Sequence, residues 1–528
     1  MPTSESAGRG RGSGAARSFE QRRAGLLIPL FSIRTRSSWG IGSITDVPRL
    51  AAWASRAGFS VLQLLPINEV CSGETSPYAA GSAFAIDPVY LSLDECEDFA
   101  ELGGRSALPP GLRAELEQLS ETTFVDYDRV RAVGRSATRL AFQRFFAREW
   151  SSRSRRAREF AAFCEERRAW LDDHALFSVL HAEREKSWTE WPRELRDREP
   201  GALAAFARRA AEALLECKWL QWQLDQQWRA ARRDCLDSGV RLMGDLPFTV
   251  NLDSADVWAN RRCFRTDLRV GTPPDQFSPE GQDWGLPAYD WPALERDEFD
   301  YLRRRARRAG ELFDLFRLDH VIGFYRTFCR AAQGQASGFQ PAAERAQVAL
   351  GEAILRVMLS EAEVVAEDLG SVPEFLPSSL QRLEVPGYRV LRWEKQGDAY
   401  RDPASWPELS VATNATHDLE TSAEWYDGLE LEDREQLAKL PGLAALDPRR
   451  DFDDTVRDAL LELLYASRSR LALVPFQDAM GHRDRVNVPG TVGGRNWTYR
   501  MPRPVEELAE DRAETARLSR LAARTGRH

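Results

Sequence analysis

The chain has 528 residues, 43% of them apolar and 29% charged, a balance that excludes general disorder and exceeds the length one plain core fills. The net charge of −9 is spread along the sequence without a long basic stripe, which argues against a nucleic-acid partner. No run approaches the roughly 18 apolar residues of a membrane-crossing helix, and the first 25 residues lack the apolar core of a secretory signal.

Taken in chain order, residues 1–18 are rich in Gly, Ser and Arg. That composition fits a transit peptide or a disordered tail, and the tail is the reading adopted. Apolar runs at 25–33 and 61–67 have the density of strands buried on both faces. The next such run starts at 241, so residues 71–240 are too long for a plain crossover. They are predicted to form a mainly helical insertion between strands 2 and 3, with helices at 136–150, 158–171 and 202–230. Its arginine-rich patch at 148–158 is expected to be a solvated helix face. After the run at 241–250, residues 251–291 carry Pro, Gly, Asp and Trp without clear periodicity and are expected to be a long loop over the site. Further runs follow at 315–321, 364–369, 389–393, 410–413 and 471–476, and a charged helical tail occupies 504–528. Eight strands alternating with helices predict an α/β fold, a closed (β/α)₈ TIM barrel rather than an open sheet. It begins at 19–70 and resumes at 241–503. The seven cysteines, at 71, 96, 164, 217, 235, 263 and 329, form no paired framework, so reduced thiols and a cytoplasmic location are expected.

Four strand candidates end in acid: Gly244-Asp245, Arg317-Leu318-Asp319-His320, Ala366-Glu367-Asp368 and Thr416-His417-Asp418. One such acid alone is ordinarily a helix cap or a surface ion pair. A parallel barrel gathers all its strand C-termini on one face, so four together describe a catalytic mouth. A period of two in the fourth strand puts Arg317 and Asp319 on one side, where the guanidinium keeps the carboxylate ionised as a nucleophile requires. A partly desolvated Glu367 on the next strand can stay protonated as a general acid. Retaining glycosidases use such a pair, with carboxyl groups roughly 5 Å apart. Asp418 adds a third carboxylate and His417 an imidazole for sugar hydroxyls. Of six histidines, His320 and His417 adjoin these acids and His482 lies near the C-terminal end. Tyr78, Trp258, Trp284 and Tyr289 sit in Gly- and Pro-rich stretches, poor places for a core and suited to stacking on sugar faces.

Together these motifs resemble the bacterial and plastid 4-α-glucanotransferases called amylomaltases or disproportionating enzymes. The likeness spans nearly the whole chain. It runs from Gly40-Ile41-Gly42 and Ser76-Pro77-Tyr78 through Gly244-Asp245-Leu246-Pro247, Pro273-Pro274-Asp275 and Gly281 to Trp284. It continues through the three acid motifs to Gln477-Asp478 and Asn487-Val488-Pro489-Gly490-Thr491. The resemblance implies Asp319 as nucleophile, Glu367 as acid/base and Asp418 as stabiliser of the transition state. It implies Asp245 and His417 as contacts of the sugar at the cleavage point, and Trp284 as an aromatic from the loop covering bound glucan; Tyr78 and Arg317 complete the expected binding set. The implied reaction moves a 1,4-α-glucan segment from a donor maltodextrin to the 4-hydroxyl of a glucan or of glucose, with retention through a glycosyl-enzyme and without cofactor or metal. Departures occur at Ala415 and Leu419 around Thr-His-Asp, at Phe31-Ser32-Ile33-Arg34 and at Leu286, none of them in the three acids. Three other readings stand beside it: an α-amylase-like hydrolase on the same site, a metal-dependent barrel hydrolase, for which no HxH or HExxH pattern speaks, and an inactive glucan-binding protein.

Overall fold

A computed structural model describes residues 19–274, 280–331, 337–491 and 493–527. Eight parallel strands close into a barrel whose spatial order follows the chain, with β1 hydrogen-bonded to both β2 and β8. They are β1 (Arg23–Leu27), β2 (Val61–Gln63), β3 (Arg241–Leu246), β4 (Leu315–Leu318), β5 (Glu363–Ala366), β6 (Gly387–Val390), β7 (Ser410–Thr413) and β8 (Leu471–Pro475). The strands carry apolar residues on both faces because they have two cores to fill. Leu27, Val61, Met243, Leu315, Val365, Tyr388, Val411, Leu471 and Leu473 form one interior cluster with a contribution from every strand. Their sequence neighbours, such as Leu26, Leu62, Leu242, Phe316 and Val364, pack outward beneath the helices.

All eight predicted runs overlap a barrel strand, and several run past its end. The run at 25–33 continues through a 3₁₀ turn, Leu30–Ser32, which is buried too and therefore equally apolar. The run at 389–393 lies one turn late: the strand is Gly387–Val390, and Leu391–Trp393 is the 3₁₀ turn after it.

Between β2 and β3, after a helix at Pro110–Glu121, the main helices are Tyr127–Phe145, Arg155–Glu166, Arg168–Arg184, Pro200–Arg209 and Ala211–Asp237. The first starts well before the expected 136 because Asp126 caps it, accepting from the Arg129 N–H at 3.3 Å. The predicted single helix at 158–171 is two helices, the first of them capped by Ser154. In the arginine patch Arg148, Arg153, Arg155 and Arg158 are exposed as expected, and Arg156 departs from the solvated face: it pairs with the fully buried Asp98 at 2.7 Å and lies over the rings of Phe145 and Trp222.

Residues 251–291 are not a plain loop. Phe264–Thr272 and Gln282–Tyr289 pair as an antiparallel hairpin, which Thr327–Ala331 and Gly338–Gln340 extend to a four-stranded sheet. Charged residues on its outer face, among them Arg265, Asp267 and Asp283, hide the alternation. Gly281 is required at its turn: its φ is +66°, and a β-carbon there would meet the Thr272 carbonyl oxygen at 2.3 Å. Asp275 and the predicted tail at 1–18 lie outside the described residues.

At the C-terminus, Val505–Glu510 and Arg512–Arg524 are helical and docked, with Leu518, Leu521 and Ala522 buried. The buried Arg527 donates to the carbonyls of Tyr465 and Ser469 at 2.7 and 2.9 Å. Among the described residues, no helix is long and apolar enough to cross a membrane.

Candidate active site

The four predicted acids stand at one end of the barrel: Asp245 in the last turn of β3, Asp319 and Glu367 directly after β4 and β5, and Asp418 in the loop after β7. The ladder carries one residue past the strand ends, because Asp319 N–H donates to the Leu246 carbonyl and Glu367 N–H to the Leu318 carbonyl, both at 3.1 Å. The backbone then turns sharply at His320, whose φ is +46°, and the His320 N–H donates to Glu367 Oε2 at 2.7 Å. The Leu369 N–H donates to Glu367 Oε1 at 3.2 Å, so backbone groups orient both carboxyl oxygens. Leu315 fills the barrel interior while Phe316 and Leu318 lie under the helices, and this alternation turns Arg317 inward.

Arg317 is the hub. Its Nη1 lies 2.8 and 2.9 Å from the two oxygens of Asp245 and 2.9 Å from Asp319 Oδ1, and its Nη2 lies 3.8 Å from Glu367 Oε2. One buried cation cannot fully compensate three carboxylates crowded at the mouth, one buried and two partly so. Burial above all pushes Glu367 up to about 8; Asp319 adds to this, and Arg317 and the His320 N–H oppose it. Burial likewise raises Asp245 to about 6, with Arg317 opposing and Asp319 adding. Asp418 goes the other way. Burial again favours its neutral form, but His417, Asn487 and the field of Arg317 outweigh it and hold the carboxyl well below the usual carboxylate range.

Tyr78 closes the network by donating its hydroxyl to Asp245 Oδ2 at 2.8 Å. Its ring stacks on His417 with centroids 5.3 Å apart, and His417 Nε2 is 3.3 Å from Asp418 Oδ2. Tyr78, Asp245, Arg317, Asp319, Glu367, His417 and Asp418 are thus one connected group. Trp284 reaches it from the hairpin, edge-on to the His320 ring with centroids 5.0 Å apart.

Trp258 and Tyr289 are core residues, against the sugar-stacking expectation. Trp258 is fully buried against Phe177, Trp191 and Arg198, and the buried Tyr289 donates its hydroxyl to the Phe248 carbonyl at 3.0 Å. His482 packs on Phe476 and Tyr499 instead of on the acids.

Three further residues stand beside the acids, outside the set expected from sequence. Asn487 donates to Asp418 Oδ1 at 2.7 Å, Arg485 donates to the Asp418 carbonyl at 3.3 Å, and the Trp497 ring lies 5.7 Å from Tyr78 and 5.8 Å from His417. The Asn-Val-Pro-Gly-Thr motif was visible, but nothing local shows that its asparagine faces an acid 69 positions earlier. Among the described residues, no group of three or more His, Cys, Asp or Glu is arranged to hold a metal ion. A cavity of about 1060 Å³ between the helical insertion and the loops after β1 and β2 contains none of these acids, so convergent charge, not cavity size, locates the site.

Fold and site together define a barrel enzyme with a carboxylate cluster at the strand C-termini. The same architecture occurs in an amylomaltase from Streptococcus agalactiae solved with acarbose, with a TM-score of 0.82 over 96% of this chain and 100% of that one at 24% identity. An amylomaltase from Corynebacterium glutamicum aligns with a TM-score of 0.78 at 22% identity, covering 96% of this chain and 76% of that one. A 4-α-glucanotransferase of Chlamydia pneumoniae is 31% identical over 506 residues, 92% of each chain. The chloroplastic/amyloplastic enzyme of Solanum tuberosum is 29% identical, covering 92% of this chain and 83% of its own. The sequence model of the 4-α-glucanotransferases matches residues 28–506, and the chain belongs to that family of glycosyltransferases.

Proposed function

We propose that the chain disproportionates 1,4-α-glucans by double displacement, with Asp319 as nucleophile, Glu367 as acid/base and Asp418 as stabiliser of the oxocarbenium-like transition state. The observation that carries this reading is the asymmetry around Arg317: the guanidinium contacts Asp319 at 2.9 Å, whereas Glu367, farther away at 3.8 Å, is pushed up to about 8. A carboxyl group that holds its proton at neutral pH, beside a second one in contact with a guanidinium, is the division of labour that a retaining mechanism needs.

In the first step Asp319 attacks the anomeric carbon of the donor while Glu367 protonates the departing glycosidic oxygen. In the second, Glu367 takes the proton from the 4-hydroxyl of a glucan or of glucose, and that oxygen displaces Asp319; two inversions give net retention. Asp418, kept ionised by His417 and Asn487, stabilises the positive charge that develops on the sugar. Asp245, His417 and Tyr78 bind the sugar at the cleavage point, Arg317 keeps the acids in register, and Trp284 covers the glucan from the hairpin. The proposed substrates are maltodextrins and related glucans, in keeping with the acarbose bound by the Streptococcus agalactiae protein. The seven free thiols support a cytoplasmic location.

The test uses Glu367→Gln with α-maltosyl fluoride, a donor whose leaving group needs no proton. Intact-mass analysis should find one maltosyl unit added, and peptide mapping should place it on Asp319. A folded variant that never acquires the adduct would move the acid role elsewhere.

A further inference from the structure

The cavity beside the helical insertion is lined by a second set of titratable side chains, separate from the acids at the barrel mouth. His174 on helix Arg168–Arg184, Cys217 on helix Ala211–Asp237 and Glu69 from the loop after β2 all line it. The His174 ring is only 3% exposed, and neither ring nitrogen makes an aligned hydrogen bond, although Nε2 lies 3.2 Å from Glu69 Oε2. Leaving a buried imidazole so poorly satisfied is costly unless it serves something at that position. The Cys217 thiol is its other polar neighbour. Burial opposes a proton on His174, but Glu69 and Cys217 outweigh burial and hold the imidazole well above its usual range. A carboxylate, an imidazole and a half-buried thiol in sequence form the arrangement that activates a sulfur nucleophile. The other six thiols, at 71, 96, 164, 235, 263 and 329, are pushed up by burial.

We propose that Cys217 is a reactive thiol that is oxidised by small hydroperoxides entering this cavity, with His174 as the proton donor and Glu69 as the positioning residue that holds it. The Cys217 thiolate attacks one peroxide oxygen; the S–O bond forms as the O–O bond breaks. The departing hydroxide, or the alkoxide of an organic hydroperoxide, takes the proton from His174, giving water or an alcohol, a neutral imidazole and Cys217 sulfenic acid. Sulfur gives up two electrons and the peroxide accepts two, so the step needs no further reactant. The site is independent of the glucan chemistry proposed above.

The experiment treats the full chain with substoichiometric hydrogen peroxide in the presence of dimedone, which traps sulfenic acid, and follows each cysteine by peptide mass. Cys164 is the internal control, because it is also half-buried and burial pushes its thiol up to about 11. The expected result is label at Cys217 about tenfold faster than at Cys164. His174→Gln should slow the Cys217 label about tenfold, Glu69→Gln should slow it as well, and Glu69→Asp should restore part of the rate. Equal labelling of Cys164 and Cys217 overturns the proposal, as does a wild-type rate in His174→Gln with an unchanged melting curve. Should His174→Gln fail to fold, Glu69→Gln decides, since a wild-type rate there is equally fatal.

Discussion

One guanidinium faces three carboxyl groups at the barrel mouth, and burial with too little positive charge pushes Glu367, the one farthest from it, up to about 8. Asp319→Asn preserves the shape of the side chain but cannot form a glycosyl ester, so transfer measured with a maltodextrin donor should fall below about 1% of wild type with the melting temperature maintained. Glu367 leaves a signature in stability as well. Its folded value of about 8 lies above the 4.5 of an ordinary glutamate, so the folded protein holds this proton more tightly than the unfolded chain does. The stability it contributes is fully present below about 4.5 and is lost as the pH rises through about 8. Glu367→Gln carries no ionisable proton, so its melting temperature relative to wild type should climb between pH 5 and pH 8 and level off above. A difference that stays flat across that range would show that Glu367 is not held protonated. The acids, Arg317 and His417 could be picked out from sequence because each lies in or shortly after a recognisable strand. Asn487 and Trp497 could not, because their partners come from chain segments far away.

At the scale of elements, barrel strands and hairpin differ in how plainly they announce themselves. A barrel strand is covered on both faces and reads as a solid apolar run, whereas Phe264–Thr272 and Gln282–Tyr289 are open to solvent on one side and carry charges there. Pro287, in the terminal strand of its sheet, makes the second one look still less like a strand. Trp258 was misplaced for a related reason: the rings that bury it, Phe177 and Trp191, belong to the insertion some seventy residues earlier. The hairpin presents Trp284 to His320, so its turn sets where that ring stands beside the mouth. Gly281→Ala forces a β-carbon against the Thr272 carbonyl and into a left-handed backbone, at a cost of about 1–2 kcal/mol. The cost falls on the hairpin rather than on the barrel. Steady-state kinetics with maltodextrin should give a raised KM, while the melting temperature stays close to wild type; an unchanged KM would separate the hairpin from glucan binding.

Across the whole molecule, the barrel supplies a rigid mouth and the inserted elements supply its walls. The sequence announces the barrel through periodicity, and the family through motifs at strand ends, because both are local in the chain. It does not announce how the insertion and the hairpin meet the mouth, since those contacts join residues that no local pattern links, as with Trp284 and His320. Walls that keep water from the Asp319 ester would leave it to the 4-hydroxyl of an incoming glucan, and this separates transfer from hydrolysis. The most direct measurement is incubation of the purified protein with maltotriose, resolving products by chain length while counting reducing ends. Transfer conserves glycosidic bonds, so the account predicts glucose and a ladder of longer maltodextrins at a nearly constant number of reducing ends. A steady rise in reducing ends with no product longer than maltotriose would contradict it.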